Sequence, residues 1–250
     1  MQLISIIIPV YNHLPELKKA LQSIKQQTYQ DFEVIVVDDG SDELVEEKIN
    51  KNNFNFDIVF LREENRGANF ARNKGFEASK GEFVIFWDAD LVGAPEMLQK
   101  MRNVLAIHQE ASYVYADFYY GKKTMKAEKF NPDKLRKENY IMTASLIRRN
   151  DFPYFDKVLK RFQDWDLWLT MLEKNKIGIY IPEFLFFVIP HKNGISSWLP
   201  AFAYKKPFSF LPGLRRKVKA FEMAKKIVME KHNLIPKPIE GSVKNKNYII

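Results

Sequence analysis

Three uninterrupted apolar runs, "SIIIPV" (5–10), "VIVV" (34–37) and "FVIFW" (83–87), constrain this chain more than any other feature. Runs of this length are too short for buried helices and suit strands covered on both faces. Between them lie segments of helical character. Leu14, Leu17, Leu21 and Ile24 recur at helical spacing, and "SDELVEEKINKN" opens on Ser41, a residue suited to an N-cap. "GANFARNKGFEASKG" reads as a helix closed by Gly81, after "FDIVFLR" as a further strand. Strand and helix alternate over the first ~90 residues. The expected fold is therefore α/β: a Rossmann-like, mostly parallel central sheet with helices on both faces.

In such sheets ligands bind outside the carboxyl ends of the strands. Polar residues gather there: Tyr11 and Asn12 after the first strand, Asp38, Asp39 and Ser41 after the second, Asp88 and Asp90 after the fourth. The first turn reads "PVYNH", so it carries neither the dinucleotide glycine fingerprint nor a P-loop. Asp88 and Asp90 stand one residue apart, and each raises the other's pKa unless positive charge lies between them. Taken alone, the pair reads either as a solvated strand end or as a cation site.

Composition narrows the chemistry. The 250 residues contain no cysteine, so any metal is held by oxygen or histidine. No apolar run reaches the ~18–20 residues of a membrane span, and the start lacks a signal-peptide pattern, so a cytoplasmic location is the expectation. The net charge of +8 is uneven: from Trp198 onward 12 Lys/Arg face 3 Asp/Glu, whereas residues 1–197 hold 27 basic and 28 acidic side chains. A neutral body argues against nucleic acid as its partner. Further along, "MLQKMRNVLAIHQ" and "QDWDLWLTMLEKN" read as helices, "SYVYADFYYG" as a strand, and "IGIYIPEFLFFVIP" as two short strands.

The signatures "SIIIPVYN" (5–12), "VVDDGS" (36–41), "NRGANFARNKG" (65–75), "FWDADL" (86–91) and "RFQDWDLWL" (161–169) stand in order. Together they closely resemble the family 2 glycosyltransferases, enzymes of the GT-A fold that use nucleotide-sugars. The resemblance covers roughly residues 3–197 and implies roles. Pro9, Tyr11, Asp39, Arg72, Asp88 and Asp90 would form the nucleotide-sugar site, with Tyr11 stacking on the base and Asp39 accepting from it. Asp90 would ligate Mn²⁺ or Mg²⁺, with Asp88 on the ribose side and His191 approaching the metal or the diphosphate. For Arg72 a helix-face ion pair is the structural alternative.

The family's catalytic base is the Asp of an acidic pair, which maps onto Asp164; Gln163 stands where Glu is usual. Trp165 and Asp166 are placed on the acceptor side, core packing being the alternative for Trp165. The implied reaction is inverting hexosyl or N-acetylhexosaminyl transfer from a nucleotide diphosphate-sugar, UDP-linked by preference, to a glycan or lipid-linked acceptor in surface polysaccharide synthesis. After residue 197 the resemblance ends. Residues 198–250 read as a basic, aromatic-rich extension, with Leu214, Val218, Phe221, Ala224 and Val228 along one helical face. That pattern suits either an anionic membrane surface or packing on the catalytic domain. Two other functions fit less of the sequence: a non-catalytic membrane-associated module of the same fold, and a sugar-phosphate nucleotidyltransferase.

Overall fold

The computed structural model describes residues 2–190 and 212–235, and the chain divides into two compact units, Met1–Trp198 and Leu199–Ile250. The first unit is built on a nine-stranded sheet. Its parallel half comprises β1 (Ile4–Val10), β2 (Phe32–Asp38), β3 (Ile58–Arg62) and β4 (Phe83–Phe86), ordered β3-β2-β1-β4. Every residue of β1 and β4 is buried, as their apolar runs require. The sheet then continues through β8 (Leu146–Arg148), β6 (Tyr113–Tyr120), β9 (Gly178–Val188) and β5 (Leu91–Gly93), with β7 (Lys123–Met125) on β6. β8 is antiparallel to both β4 and β6, and β6 runs parallel to β9.

Helices cover both faces. On one, α1 (Leu14–Lys25) and α3 (Met97–Ile107) set Leu17, Leu21, Ile24, Met101 and Leu105 against Ile4, Ile6 and Ile8. On the other, α2 (Ala68–Ala78) lies so close that a Cβ on Gly75 would stand 2.4 Å from Ile7 Cγ2 and 3.1 Å from Val37 Cγ2. Two adjacent arginines serve helices on opposite faces. Arg148 donates to the Leu105 and His108 carbonyls at the end of α3, and Arg149 to Ser79 Oγ and the Phe76 carbonyl at the end of α2. Cations at helix C-termini satisfy orphan carbonyls and add about 0.3–1 kcal/mol each. Among the described residues of this unit the remaining α-helices are α4 (Pro132–Leu135) and α5 (Gln163–Glu173).

Three local expectations give way. "SDELVEEKINKN" forms two short 3₁₀ turns, Glu46–Lys48 and Lys51–Asn53, instead of an α-helix. Ser41 is spent elsewhere: its hydroxyl accepts the Asn12 amide and its own amide donates to Asp38, tying two strand ends together. α2 closes at Ser79, whose hydroxyl bonds the Phe76 carbonyl, while Gly81 sits tightly against β1 with its amide on Ser5 Oγ. "GIYIPEFLFFV" (178–188) is one strand of 11 residues. Ala116 pairs Ile181 and Asp117 pairs Phe184, so Pro182 and Glu183 bulge out of the ladder, where a proline lacking N–H is tolerated.

The second unit contains α6 (Pro212–Lys231). Val218 and Val228 are buried, while Arg215, Arg216, Lys219 and Lys226 are exposed, as are the apolar Met223 and Ile227. Among the described residues no helix is long and apolar enough to cross a membrane.

Trp87 anchors the end of β4: it is fully buried and its indole donates to the Leu91 carbonyl at 3.0 Å. A Cβ on Gly93 would lie 2.3 Å from its ring. Gly93→Ala is therefore expected to lower stability by about 1–3 kcal/mol through overpacking. Urea denaturation measures this, and a variant as stable as the parent would show that the ring has room to move.

Candidate active site

The site is set by parallel registry. Val10 pairs Asp38, and Ile7 pairs Phe86, so the carboxyl ends of β1, β2 and β4 lie side by side. Tyr11, 44% exposed, projects from the first of these ends next to Asn12, which adopts a left-handed φ of 55°. Asn12 exchanges side-chain bonds with Asp42 and so joins the first two loops. Pro9 is buried within β1, one residue before its end.

Asp38 and Asp39 are both buried and have different tasks. Asp38 accepts from Arg62, its register partner on β3, and from the Ser41 amide. Asp39 accepts the Arg66 and Gly67 amides, one on each oxygen, both at 2.9 Å. It thereby holds the turn that starts α2, where Gly67 has a φ of 97° that favours glycine.

Arg72 runs from α2 to the end of β4. It is 7% exposed and donates to Asp88 at 2.7 Å and to Asn69 Oδ1 at 3.2 Å. This is an ion pair, but one that reaches across the cleft and not along the helix face. Asp90 lies beyond it, its carboxyl pushed up to about 7 by burial first and by the Asp88 charge second, with Glu16 adding and Arg72 opposing. Tyr120, at the end of β6, is also near, for burial and then Asp90 raise its hydroxyl. Tyr120 and Glu16 were not singled out from sequence; only the fold brings them here.

Asp164 sits in the first turn of α5, after Phe162 in a left-handed φ of 57°. Its Oδ1 accepts the Trp165 amide at 2.9 Å and its Oδ2 the Asn139 side-chain amide at 2.6 Å. Burial raises its pKa, the Trp165 amide and Arg72 oppose, and Asp88 raises it further. Asp164 therefore shares one electrostatic neighbourhood with Arg72 and Asp88. Gln163 turns toward the Leu159 carbonyl at 3.3 Å.

Trp165 and Asp166, the residues expected on the acceptor side, are 1% and 3% exposed. The Trp165 indole donates to the Leu135 carbonyl at 2.6 Å, so its ring serves packing and not a cleft wall. His191 lies outside the described residues.

Among the described residues, no group of three or more acidic or histidine side chains is placed to hold a metal ion. Asp88 and Asp90 nevertheless fit a hard divalent cation shared with an anionic ligand. They are oxygen donors one residue apart, and the Asp88 charge, after burial, raises Asp90, a repulsion that a cation would relieve. The sign of that shift makes a prediction. A carboxyl raised in the folded state stabilises the fold in acid and loses that contribution as pH rises from ~4 through about 7. Without divalent ions, Asp90→Asn is therefore expected to gain stability over the parent at pH 8 and little at pH 4. Equal differences at both pH values in urea denaturation would refute the shift.

Comparisons with known proteins agree with this geometry. The family model for glycosyl transferase family 2 matches residues 5–165. An uncharacterized glycosyltransferase of Haemophilus influenzae is 29% identical over 193 residues, 71% of this chain and 65% of that protein. Another, from Methanocaldococcus jannaschii, is 28% identical over 214 residues, 78% of this chain and 73% of the relative. Among solved structures, S. aureus TarS 1-349 in complex with UDP-GlcNAc superposes with a TM-score of 0.65 at 22% identity, covering 80% of this chain and 62% of that one. The Pyrobaculum calidifontis mannosyltransferase PcManGT, in complex with GDP-Man and Mn²⁺, gives 0.60 at 20% identity, covering 77% and 58%. The chain thus spans about two thirds of the first relative and somewhat less of these structures. The fold is that of the GT-A glycosyltransferases, and the chain belongs to glycosyl transferase family 2.

Proposed function

We infer that this protein is a metal-dependent inverting glycosyltransferase that moves a sugar from a nucleotide diphosphate-sugar, UDP-linked by preference, to a hydroxyl of a glycan or lipid-linked acceptor. The observation that carries this reading is that Asp164, in the first turn of α5, is under the influence of both Arg72 and Asp88, while Asp39, Asp88 and Asp90 follow strands whose carboxyl ends lie side by side. Similar folds with UDP-GlcNAc bound, and with GDP-Man and Mn²⁺ bound, support the donor class and the cation.

The exposed Tyr11 ring offers a stacking face for the base, a contact worth ~1–3 kcal/mol. Asp39 holds one backbone amide on each oxygen and keeps lone pairs for a base N–H. Asp90 would hold Mn²⁺ or Mg²⁺, with Asp88 on the ribose side and His191 as a further candidate ligand; when bound, the cation would neutralise the departing diphosphate. Asp164 takes the proton of the acceptor hydroxyl while the acceptor oxygen bonds to the anomeric carbon. The bond from that carbon to the diphosphate breaks as the carbon gains oxocarbenium character, its electron pair leaving on the diphosphate. A single in-line displacement of this kind turns an α-linked donor into a β-linked product. The exposed arginines and lysines of α6 suit an anionic membrane surface, where each adds about 1 kcal/mol, and a lipid-linked acceptor would be met there.

Two measurements test this. Thermal-shift titration with UDP, GDP, dTDP and CDP is expected to stabilise the protein with one nucleotide in Mn²⁺, by about 2.7 kcal/mol at a hundredfold excess over Kd. The shift should vanish with EDTA and in Asp90→Ala; no shift with any nucleotide would argue for a non-catalytic module. Asp164→Asn is expected to bind the nucleotide normally and lose about 10²–10⁴ in turnover. In the parent, kcat/KM should fall on the acid side with a midpoint above the ordinary aspartate range, because Asp164 must be ionised to act and its pKa is raised. Full turnover in Asp164→Asn would remove it as the base.

A further inference from the structure

Asp164 is held from outside its own helix by a residue that belongs to no motif. The segment between α4 and β8 is fastened to α5 at three points. The Trp165 indole donates to the Leu135 carbonyl at 2.6 Å, the Trp168 indole to the Ile141 carbonyl at 2.9 Å, and Asn139 Nδ2 to Asp164 Oδ2 at 2.6 Å. Both tryptophans are buried, with at most 1% exposed, so the first two fastenings are rigid. They lie on either side of Asn139 in sequence and hold its backbone against the start of the helix.

The orientation of the Asn139 amide follows from its other contact. Its Oδ1 accepts the Ile141 backbone amide at 3.2 Å, so only the NH₂ end is left for the aspartate. Asn139 can therefore donate to Asp164 and cannot accept from it. Such a donor favours the ionised carboxylate, and it also fixes the rotation of the carboxyl together with the Trp165 amide on Oδ1. The charged groups that act on Asp164 are Arg72 from α2 and Asp88 from the end of β4. With Gln163 turned toward Leu159, Asn139 is the side chain that bonds the carboxylate directly.

We propose that Asn139 is a positioning residue for Asp164, holding its carboxylate in one orientation so that it can accept the proton of the acceptor hydroxyl. The role rests on Asp164 being the base. Trp165 and Trp168 contribute by keeping Asn139 in place, which explains two buried indoles beside the site without assigning either to a substrate.

The test uses a signal that needs no acceptor. In the full chain labelled with ¹³C at aspartate carboxyls, the Asp164 signal is identified by its loss in Asp164→Asn and followed through a pH titration. In Asn139→Ala its midpoint is expected to rise by about one pH unit or more, since a donor to the charged form is lost. Asn139→Asp, nearly the same size, should raise it further by placing a second carboxyl against the first. It also keeps the test open if the alanine variant does not fold. A midpoint unmoved in both variants, or moved downward, overturns the proposal and shows Asn139 to be a loop fastening only. Failure of the base assignment looks different: the midpoint moves in Asn139→Ala, yet Asp164→Asn retains full UDP-sugar turnover. That outcome removes the base and with it the role given to Asn139.

Discussion

Carboxylates crowded on one sheet edge repel one another, and much of the structure around that edge exists to hold them there. Each is answered in its own way. Asp38 meets Arg62 from the neighbouring strand, Asp39 meets two backbone amides, Asp88 meets Arg72, and Asp164 meets one backbone and one side-chain amide. At Asp90 burial, and after it the Asp88 charge, leave the carboxyl raised to about 7. Positive charge added beside Asp88 and Asp90 would relieve the repulsion between them.

α2 is the element that makes these pieces one site. Its N-terminal turn is held by Asp39, and its Arg72 reaches Asp88. On the same helix, Asn69 donates to the Asp156 and Leu159 carbonyls, and Asn73 both donates to and accepts from the Phe155 backbone. The loop they hold leads directly to Phe162 and Asp164. That loop includes two aromatic residues in the left-handed region, Tyr154 at φ 69° and Phe162 at φ 57°, a conformation that persists only where surrounding contacts impose it. Buried asparagines on a helix thus hold the segment that leads to Asp164.

Much of this was legible in the residues. Runs such as "SIIIPV" announce strands buried on both faces, and parallel strands place their carboxyl ends together whatever the loops do. Hence Asp39, Asp88 and Asp90 could be assigned to one edge before any coordinates. Local signals were less reliable where one residue had two possible uses. Ser41 is a good helix cap by composition but bonds Asn12 and Asp38 across strands. Pro182 looks like a break between two strands and is a bulge within one, because β6 accommodates it with a shift of register. Trp165 beside Asp164 reads equally as a substrate wall or as core, and only the fold shows its buried indole donating to the Leu135 carbonyl.

The sequence by itself determined the parallel core, the edge on which ligands meet it, and which carboxylates stand at that edge, because apolar periodicity and short motifs are local properties. Tertiary structure alone decided what neutralises each carboxylate. Arg62 with Asp38 and Arg72 with Asp88 are joined across 24 and 16 residues, and Asn139 with Asp164 across 25. Charge balance is a matter of distance in space, and no spacing along the chain encodes which donor will arrive within hydrogen-bond reach once the helices have packed.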